Sequence, residues 1–341
     1  MNAAPTIDSR SISARPIRSR AILSAICAAA FASAAWAAPA GAADGSFDRT
    51  LKVSEPVALD VRTGSGNIHV TVGDSASVVI HADIRSNHGW DDGDAEQRIR
   101  EIEKNPPVEQ EGNTVRVGFT HDSDFYRNIS ISYEIHVPAQ TRLEGATGSG
   151  NFTASGLQLD VTGKTGSGNV RVEDAGGKVE LSAGSGGVEL HNARSGARLS
   201  SGSGNVRADG VSGDVRATSG SGSVKLEMNG AGDVEASSGS GNIVVHGAKG
   251  AVRGTTGSGD VEARGEQTGE WRLHTGSGNV TVELPKGAGF ELDAHSGSGS
   301  IQTDREITVQ GTLSRREIRG RAGNGGPLLE LRTSSGSIYL R

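Results

Sequence analysis

Residues 88–94, HGWDDGD, carry the strongest candidate chemistry in the chain, because His88, Asp91, Asp92 and Asp94 stand within seven positions. Carboxylates and imidazole are common metal ligands, and neighbouring carboxylates could also exchange protons in a polysaccharide lyase or hydrolase. The same residues are typical of an acidic loop that enters a helix, since negative charge is favoured at a helix N-terminus. We favour the loop and predict no metal site here.

Glycine-rich repeats suggest a second chemistry, because calcium-binding rolls repeat G-G-x-G-x-D-x-U-x, with the aspartate as a ligand. The chain repeats the tripeptide GSG, but valine occupies the position of that aspartate, at Val170, Val188, Val206 and Val224. A valine side chain cannot bind calcium. We therefore predict that calcium is not required, and we expect no cofactor.

Nucleophilic catalysis also lacks its usual residues. Cys27 is the only cysteine, and it lies in a segment that we expect to be removed. The serines of the GSG tripeptides belong to turns and do not form the strand-to-helix G-x-S-x-G elbow of hydrolases. The sequence therefore predicts a protein that is not an enzyme, with no catalytic, cofactor-binding or metal-binding residues.

The GSG tripeptides recur at a regular spacing, which indicates a repeat fold. Apolar and polar residues alternate after each tripeptide, as in Val170-Arg171-Val172, and a second apolar pair precedes the next one, as in Val179 and Leu181. Such period-two alternation is typical of short strands with one buried face. The first glycines are 18 to 21 residues apart, at Gly148, Gly166, Gly184, Gly202, Gly220, Gly239, Gly257, Gly276 and Gly297.

Stacking these units in register would bury an apolar face that no unit could bury alone. Val170 is then expected beneath Val188, Val206 and Val224, at about 4.8 Å per strand. We therefore predict an all-β fold, a single-stranded parallel β-helix (β-solenoid) with coils of about 18 residues. We expect roughly ten coils at that spacing, with one short helix at about residues 93–104.

Two polar features are expected on the surface of the stack. Asparagine follows the tripeptide in six of ten repeats. We interpret it as a ladder whose amides bond along the stack and tolerate left-handed backbone, the alternative being a ligand track. Outward residues such as Arg171, Glu189 and Arg207 alternate in charge, which favours a solvated face over a binding stripe.

The chain divides into three predicted segments. Residues 1–42 combine four arginines, the apolar run AILSAICAAAFASAAWA and small-x-small cleavage sites, which is typical of a Sec signal peptide and not of a transmembrane span. Losing four arginines and Asp8 changes the net charge from −6 to −9, and an acidic chain argues against a nucleic-acid partner. Irregular β coils with the helix follow in 43–143, and the regular solenoid with a C-terminal capping coil in 144–341.

Trp271 stands in a column otherwise filled by valine and alanine. We interpret it as a core residue, the alternative being a small exposed aromatic site.

The order of these motifs resembles the bacterial putative-adhesin family of β-strand-repeat domains of unknown function. The resemblance rests on SGNIHV, a VP dipeptide, the TGSGNV series and the closing GGPLLELRTSSGSIYLR, and covers residues 47–341. It implies a right-handed β-helix exported to the cell envelope. The family has no catalytic residues that could be assigned to positions of this chain.

From this resemblance we expect a non-enzymatic adhesin or structural interaction module in the periplasm, on the cell surface or outside the cell. Its partner would be an envelope protein or an extracellular polysaccharide. The alternative is a β-helix protein that binds or cleaves polysaccharide.

Overall fold

The computed structural model describes residues 45–86, 92–119, 126, 128–309 and 314–341, with the backbone alone at 92–94. The described residues form one helix and 29 strands. The strands make a 14-stranded sheet, here called sheet A, and a 15-stranded sheet, here called sheet B. The predicted signal peptide lies outside the described residues, so it stays a prediction.

The elements before the regular repeats include the helix. They are β1 (Gly45–Lys52), β2 (Val57–Thr63), β3 (Ile68–Val72), β4 (Ser77–Ser86), α1 (Asp92–Lys104), β5 (Val108–Glu111), β6 (Thr114–Val117) and β7 (Ile129–Val137). The repeats begin with β8 (Thr141–Thr147), β9 (Phe152–Ser155), β10 (Val161–Thr165), β11 (Val170–Ala175), β12 (Val179–Ala183), β13 (Val188–Ala193), β14 (Ala197–Ser201) and β15 (Val206–Val211).

The repeats continue, and irregular elements follow them at the C-terminal end. The remaining repeat strands are β16 (Val215–Ser219), β17 (Val224–Met228), β18 (Val234–Ser238), β19 (Ile243–Lys249), β20 (Val252–Thr256), β21 (Val261–Glu266), β22 (Trp271–Ser277) and β23 (Val280–Glu283). The last strands are β24 (Phe290–Ser296), β25 (Ile301–Thr303), β26 (Ile307–Val309), β27 (Glu317–Ala322), β28 (Leu328–Ser335) and β29 (Ile338–Leu340).

Strand pairing follows the predicted columns. Val170 pairs with Val188, Val188 with Val206 and Val206 with Val224, all in parallel register. All four side chains are fully buried, whereas Arg207 is exposed. The period-two pattern therefore predicted both the parallel β-solenoid and the inward face of its strands correctly.

The order of coils in space differs from their order in sequence at the N-terminal end. β6 and β7 pair in parallel with β2 and β3, so these two strands belong to a coil on the far side of the first one. β8 and β9 then stack on the opposite side of β2 and β3. The first coil of the chain therefore lies between two later ones, and antiparallel β4 and β1 extend sheet A beyond them.

The C-terminal end is threaded in the same way, so the last strands of the chain lie within the stack and not at its end. β28 and β29 lie between the coil of β22 and β23 and that of β24 and β25. Leu329 and Leu331 are fully buried because this position covers both sides of their strand with apolar side chains. β24 and β25 form the outermost parallel coil, and the antiparallel strands β27 and β26 continue sheet B beyond it. Among the described residues the stack therefore has twelve parallel coils, against roughly ten predicted.

A helix and a tryptophan side chain complete the core. Helix α1, predicted at about 93–104 and found at Asp92–Lys104, buries Ile99 and Ile102 against β1 and β4. Trp271 is fully buried, and its Nε1 donates to the carbonyl of Gly250 at 3.0 Å, which confirms its interpretation as a core residue. Within the described part of the chain, no helix has the length and hydropathy to cross a membrane.

Candidate functional site: a groove along sheet B

The acidic cluster predicted from sequence is placed only in part. His88 and Asp91 lie outside the described residues, and of Asp92 and Asp94 only the backbone is described, in the first turn of α1. Whether these residues form a loop or a site therefore stays a prediction. Elsewhere in the described ranges, no group of three or more His, Cys, Asp or Glu side chains could hold a metal ion.

The asparagine ladder is present, with side chains that bond along the stack as predicted but without left-handed backbone at the ladder residues. Asn151 Oδ1 accepts the backbone N–H of Asn169 at 2.9 Å, and Asn242 Oδ1 accepts that of Asp260 at 2.9 Å. The side chains therefore bond to the backbone of the next coil and not to another amide. Left-handed backbone occurs instead at Asp174 (φ 55°) and Asn192 (φ 56°). These side-chain oxygens hold the stack together, which favours a structural role for the ladder over a ligand track.

A second ladder, of buried hydroxyl groups, was not predicted. Thr165 Oγ1 donates to the carbonyl of Gly150 at 2.8 Å and accepts the N–H of Gly168 at 3.0 Å. The signal was available in the sequence, since serine or threonine usually stands directly before GSG. The buried members of this column include Thr147, Thr165, Ser201, Ser219, Ser238, Thr256, Thr275, Ser296 and Thr333.

The outer face of sheet A carries ion pairs within and between coils. Arg171 contacts Glu173 in its own strand at 2.6 Å and Glu189 in the next coil at 2.8 Å. A hydrogen bond from Lys225 lowers the pKa of Glu227. Such exposed pairs contribute little to stability individually. They match the solvated face that the alternating charges predicted.

Sheet B differs, because a groove of about 770 Å³ runs across the starts of its strands. The groove crosses seven coils, from the one containing Thr162 to the one containing Arg272. Its floor is the backbone around the first inward residue of each strand. Outward residues on both sides of that floor make two walls. The preceding residues are Asp160, Lys178, Gly196, Asp214, Asp233, Ala251 and Glu270, and the following residues are Thr162, Glu180, Arg198, Arg216, Glu235, Arg253 and Arg272.

Several groove charges are already engaged by the protein. Arg216 Nη1 contacts Glu235 Oε2 of the adjacent coil at 2.6 Å, and Arg272 Nη2 contacts Glu270 Oε1 of its own coil at 2.7 Å. Asp214 Oδ1 accepts the backbone N–H of Asp233 at 2.9 Å. These groups are oriented by their partners, so they are less free to rearrange around a ligand.

Two arginines are not engaged in this way. Arg198 and Arg253 are exposed and make no hydrogen bond or ion pair within the described residues. In both coils the opposite wall is small, because Gly196 or Ala251 replaces the acidic residue found opposite Arg216 and Arg272. Each unpaired guanidinium therefore faces an open part of the groove. This relationship between the two walls was not predicted, because it depends on two columns of outward residues together.

A charge cluster closes the C-terminal end of the groove. Glu330 pairs with Arg272 in the groove and lies 3.5 Å from His274. Arg332 contacts Glu330 at 2.6 Å and Asp293 at 3.2 Å. The hydrogen bond from Arg332 lowers the pKa of Glu330. A carboxylate held ionised in this way cannot donate a proton as a general acid at neutral pH.

Twelve stacked two-strand coils with polar ladders at their corners define a parallel β-solenoid protein. The chain belongs to the Toastrack DUF4097 family, whose model matches residues 57–341. This membership confirms the family resemblance drawn from the repeat motifs.

Two crystal structures are similar to the chain at low identity. A putative cell adhesion protein from Clostridium sporogenes ATCC 15579 is 12% identical, with a TM-score of 0.21, over 87% of this chain and 99% of that one. A putative adhesin from Bacteroides fragilis NCTC 9343 is 18% identical, with a TM-score of 0.35, over 70% of this chain and 97% of that one. No curated protein matches the chain.

Proposed function

We propose that this protein is a non-enzymatic interaction module, exported to the cell envelope, that binds an extended partner along the groove of sheet B. The observation that carries the proposal is the groove itself, which crosses seven coils and contains two exposed, unpaired arginines. Export rests on the predicted signal peptide in residues 1–42, which allows a periplasmic, surface or extracellular location.

The shape of the groove favours an extended partner over a compact small molecule. Small-molecule sites are usually concave and lined mostly by apolar and aromatic side chains. Here the walls are charged, no aromatic residue lines the groove among the described residues, and similar groups recur from coil to coil. Solenoids commonly bind along such extended repeating surfaces, where many weak contacts add up.

The contacts of the carboxylates favour binding over catalysis. Glycoside hydrolysis requires one carboxylic acid that stays protonated beside a second, ionised carboxylate. Along the groove, Glu235 and Glu270 pair with arginines, and Asp214 accepts a backbone N–H. Glu330, at its end, has a lowered pKa. Carboxylates that are engaged by arginines and backbone groups in this way suit a binding surface.

The test is co-sedimentation of the exported protein with isolated cell-envelope fractions. Ala251→Tyr would place a bulky ring in the groove, and we expect it to abolish co-sedimentation. Val244→Tyr is the matched control, because Val244 is a half-buried outward residue of sheet A. Equal co-sedimentation of wild type and both variants would contradict the proposed binding face.

The alternative function, cleavage of polysaccharide, is tested separately. It would require a groove formed by residues 86–113 against the early coils, with Asp91, Asp92 and Asp94 as candidate acids. Purified protein is incubated with acidic and neutral polysaccharides, and new chain ends are measured. Turnover that disappears on Asp91→Asn, Asp92→Asn or Asp94→Asn would overturn the non-enzymatic proposal.

A further inference from the structure

We propose that the extended partner is a polysaccharide whose carboxylate groups, separated by uncharged sugars, bind Arg198 and Arg253. This inference rests on the proposed function of the groove and adds the chemical class of its ligand. It starts from the two guanidinium groups that the protein leaves unpaired in the groove, although nearby arginines are paired.

The spacing of the two arginines follows from the strand register. Arg198 pairs with Arg216, Arg216 with Glu235 and Glu235 with Arg253. Arg198 and Arg253 are therefore three strand spacings apart, which is about 14 Å at about 4.8 Å per strand. A single small anion cannot reach both groups. A chain that follows the groove can place one acidic group at each.

The open wall beside each arginine suits a carboxylate. Gly196 has no side chain and Ala251 has only a methyl group, so a ligand can approach Arg198 and Arg253 from the groove side. A guanidinium group presents a planar fork of donors that binds a carboxylate through two parallel hydrogen bonds. Arginine–glutamate contacts already exist next to each subsite, where Arg216 pairs with Glu235 and Arg272 with Glu270 through one guanidinium nitrogen each.

The surrounding charges exclude a densely charged chain. The groove is lined by six acidic and five basic side chains, a net charge of −1. Between the two arginines, Asp214, Asp233 and Glu235 would repel an anion placed at every coil. Their carboxylate oxygens can instead accept hydrogen bonds from sugar hydroxyl groups. The ligand must therefore carry uncharged units between its acidic ones.

The groove fits a polysaccharide better than a peptide. Peptides that bind sheets usually add a strand at an exposed edge, where backbone hydrogen bonds are available, and place side chains in pockets. This groove instead runs across the strands, whose backbone groups are already paired within sheet B. A hydroxyl-rich chain needs only hydrogen bonds to the polar side chains of the groove walls.

The experiment measures binding of defined polymers to the exported protein. The probes are hyaluronate, in which every second sugar carries a carboxylate, its carboxyl-reduced derivative, polygalacturonate, in which every sugar does, and neutral dextran. We expect hyaluronate to bind most tightly. Arg198→Gln and Arg253→Gln should each weaken its binding about tenfold, since each removes one charged hydrogen-bonded contact.

Arg171→Gln is the matched control, because Arg171 is an exposed arginine of sheet A. It should bind hyaluronate like the wild type, and circular dichroism melting should show that all variants fold. Equal binding of hyaluronate and its carboxyl-reduced form, or unchanged binding by both groove variants, would overturn the inference.

Failure of the inference is distinguishable from failure of the proposed function. If no polysaccharide binds but envelope material still sediments in a manner blocked by Ala251→Tyr, the ligand class is wrong and the groove remains the binding face. Capture of an acidic peptide through Arg198 and Arg253, without polysaccharide binding, would also overturn the ligand class. If Ala251→Tyr has no effect on any binding, both proposals fail.

Discussion

The ring of Phe152 in sheet A packs against the backbone of Gly163 in sheet B. A β-carbon on Gly163 would lie 2.5 Å from Cε1 of that ring, closer than packed atoms approach. The next coil has Val170 and Leu181 at the equivalent positions. A large residue on one sheet therefore matches a missing side chain on the other.

This match predicts strong coupling between the two positions. Phe152→Val should lower the free energy of unfolding by about 2–4 kcal/mol through a cavity, and Gly163→Leu by about 3 kcal/mol through overpacking. The double variant carries the valine–leucine pair found in the next coil. Its loss of unfolding free energy should therefore be at least about 1 kcal/mol smaller than the sum of the losses of the two single variants. Denaturant unfolding measures all three. Additive losses would contradict the packing relationship.

The hydroxyl ladder has one gap, at Ala183, which pairs with Thr165 and Ser201 in the adjacent coils. Ala183→Ser should supply the missing contacts to Gly168 and Gly186 and raise the free energy of unfolding by about 0.5–1.5 kcal/mol. Ser201→Ala is the matched reverse change and should cost about 1–3 kcal/mol by leaving buried backbone groups unpaired. Destabilisation by Ala183→Ser would show that its site lacks room.

The asparagine ladder is interrupted at Gly187, whose backbone N–H donates to Asn169 Oδ1 but which has no side-chain acceptor for the backbone N–H of Asn205. Its backbone is not left-handed, and a β-carbon there would meet only ordinary contacts of 3.5 Å or more. Gly187→Asn should therefore stabilise the fold by about 1 kcal/mol, through the added hydrogen bond and a less flexible unfolded chain. Asn242→Ala, which removes an existing rung, should have the opposite effect in the same thermal melts.

The threading of the C-terminal coil predicts that its core residues behave as internal ones. Leu331 lies between Leu273 and Ala294 and is fully buried, as is Leu226 in the middle of the stack. Leu331→Ala and Leu226→Ala should both cost about 2–5 kcal/mol. Chemical denaturation compares them. A cost for Leu331→Ala below about 1 kcal/mol would instead fit an outer coil.

His81 predicts a pH dependence at the N-terminal edge of sheet A. Its Nδ1 lies 2.8 Å from Asp48 Oδ1 across the β1–β4 pair, and this hydrogen bond raises the pKa of His81. Asp83, 3.5 Å from Nε2, acts in the same direction. The stabilisation is therefore complete below the ordinary histidine pKa of about 6.5 and is lost as pH rises through the folded-state value.

NMR titration of the His81 ring measures this effect. Asp48→Asn should lower the pKa of His81 and reduce the difference in melting temperature between pH 5.5 and pH 8.5. Glu111→Gln, at an exposed position on β5, serves as the control and should change neither quantity. An unchanged His81 pKa in Asp48→Asn would contradict the assigned cause.

The local features of the coil could be predicted because each depends on neighbouring residues in sequence. Alternation placed Val206 inward and Arg207 outward, and both orientations are confirmed. The asparagine ladder was also predicted, although its acceptors bond to backbone N–H groups. The groove was not predicted, because it is formed jointly by residues of seven stacked coils that are far apart in sequence.

The sequence by itself determined the period, the strands and their buried faces, since these follow from residue types within about 18 positions. Only the tertiary structure decided where the end coils lie and which arginines remain unpaired. An apolar-polar-apolar strand fits equally well at any level of a repeating stack, so its pattern does not specify its neighbours. Leu329 lies between Trp271 and Leu292 because apolar burial on both sides stabilises it more than a position at an open end of the stack would. Arg253, for example, stays unpaired because the register places Glu235 beside both Arg216 and Arg253, and Glu235 pairs with Arg216.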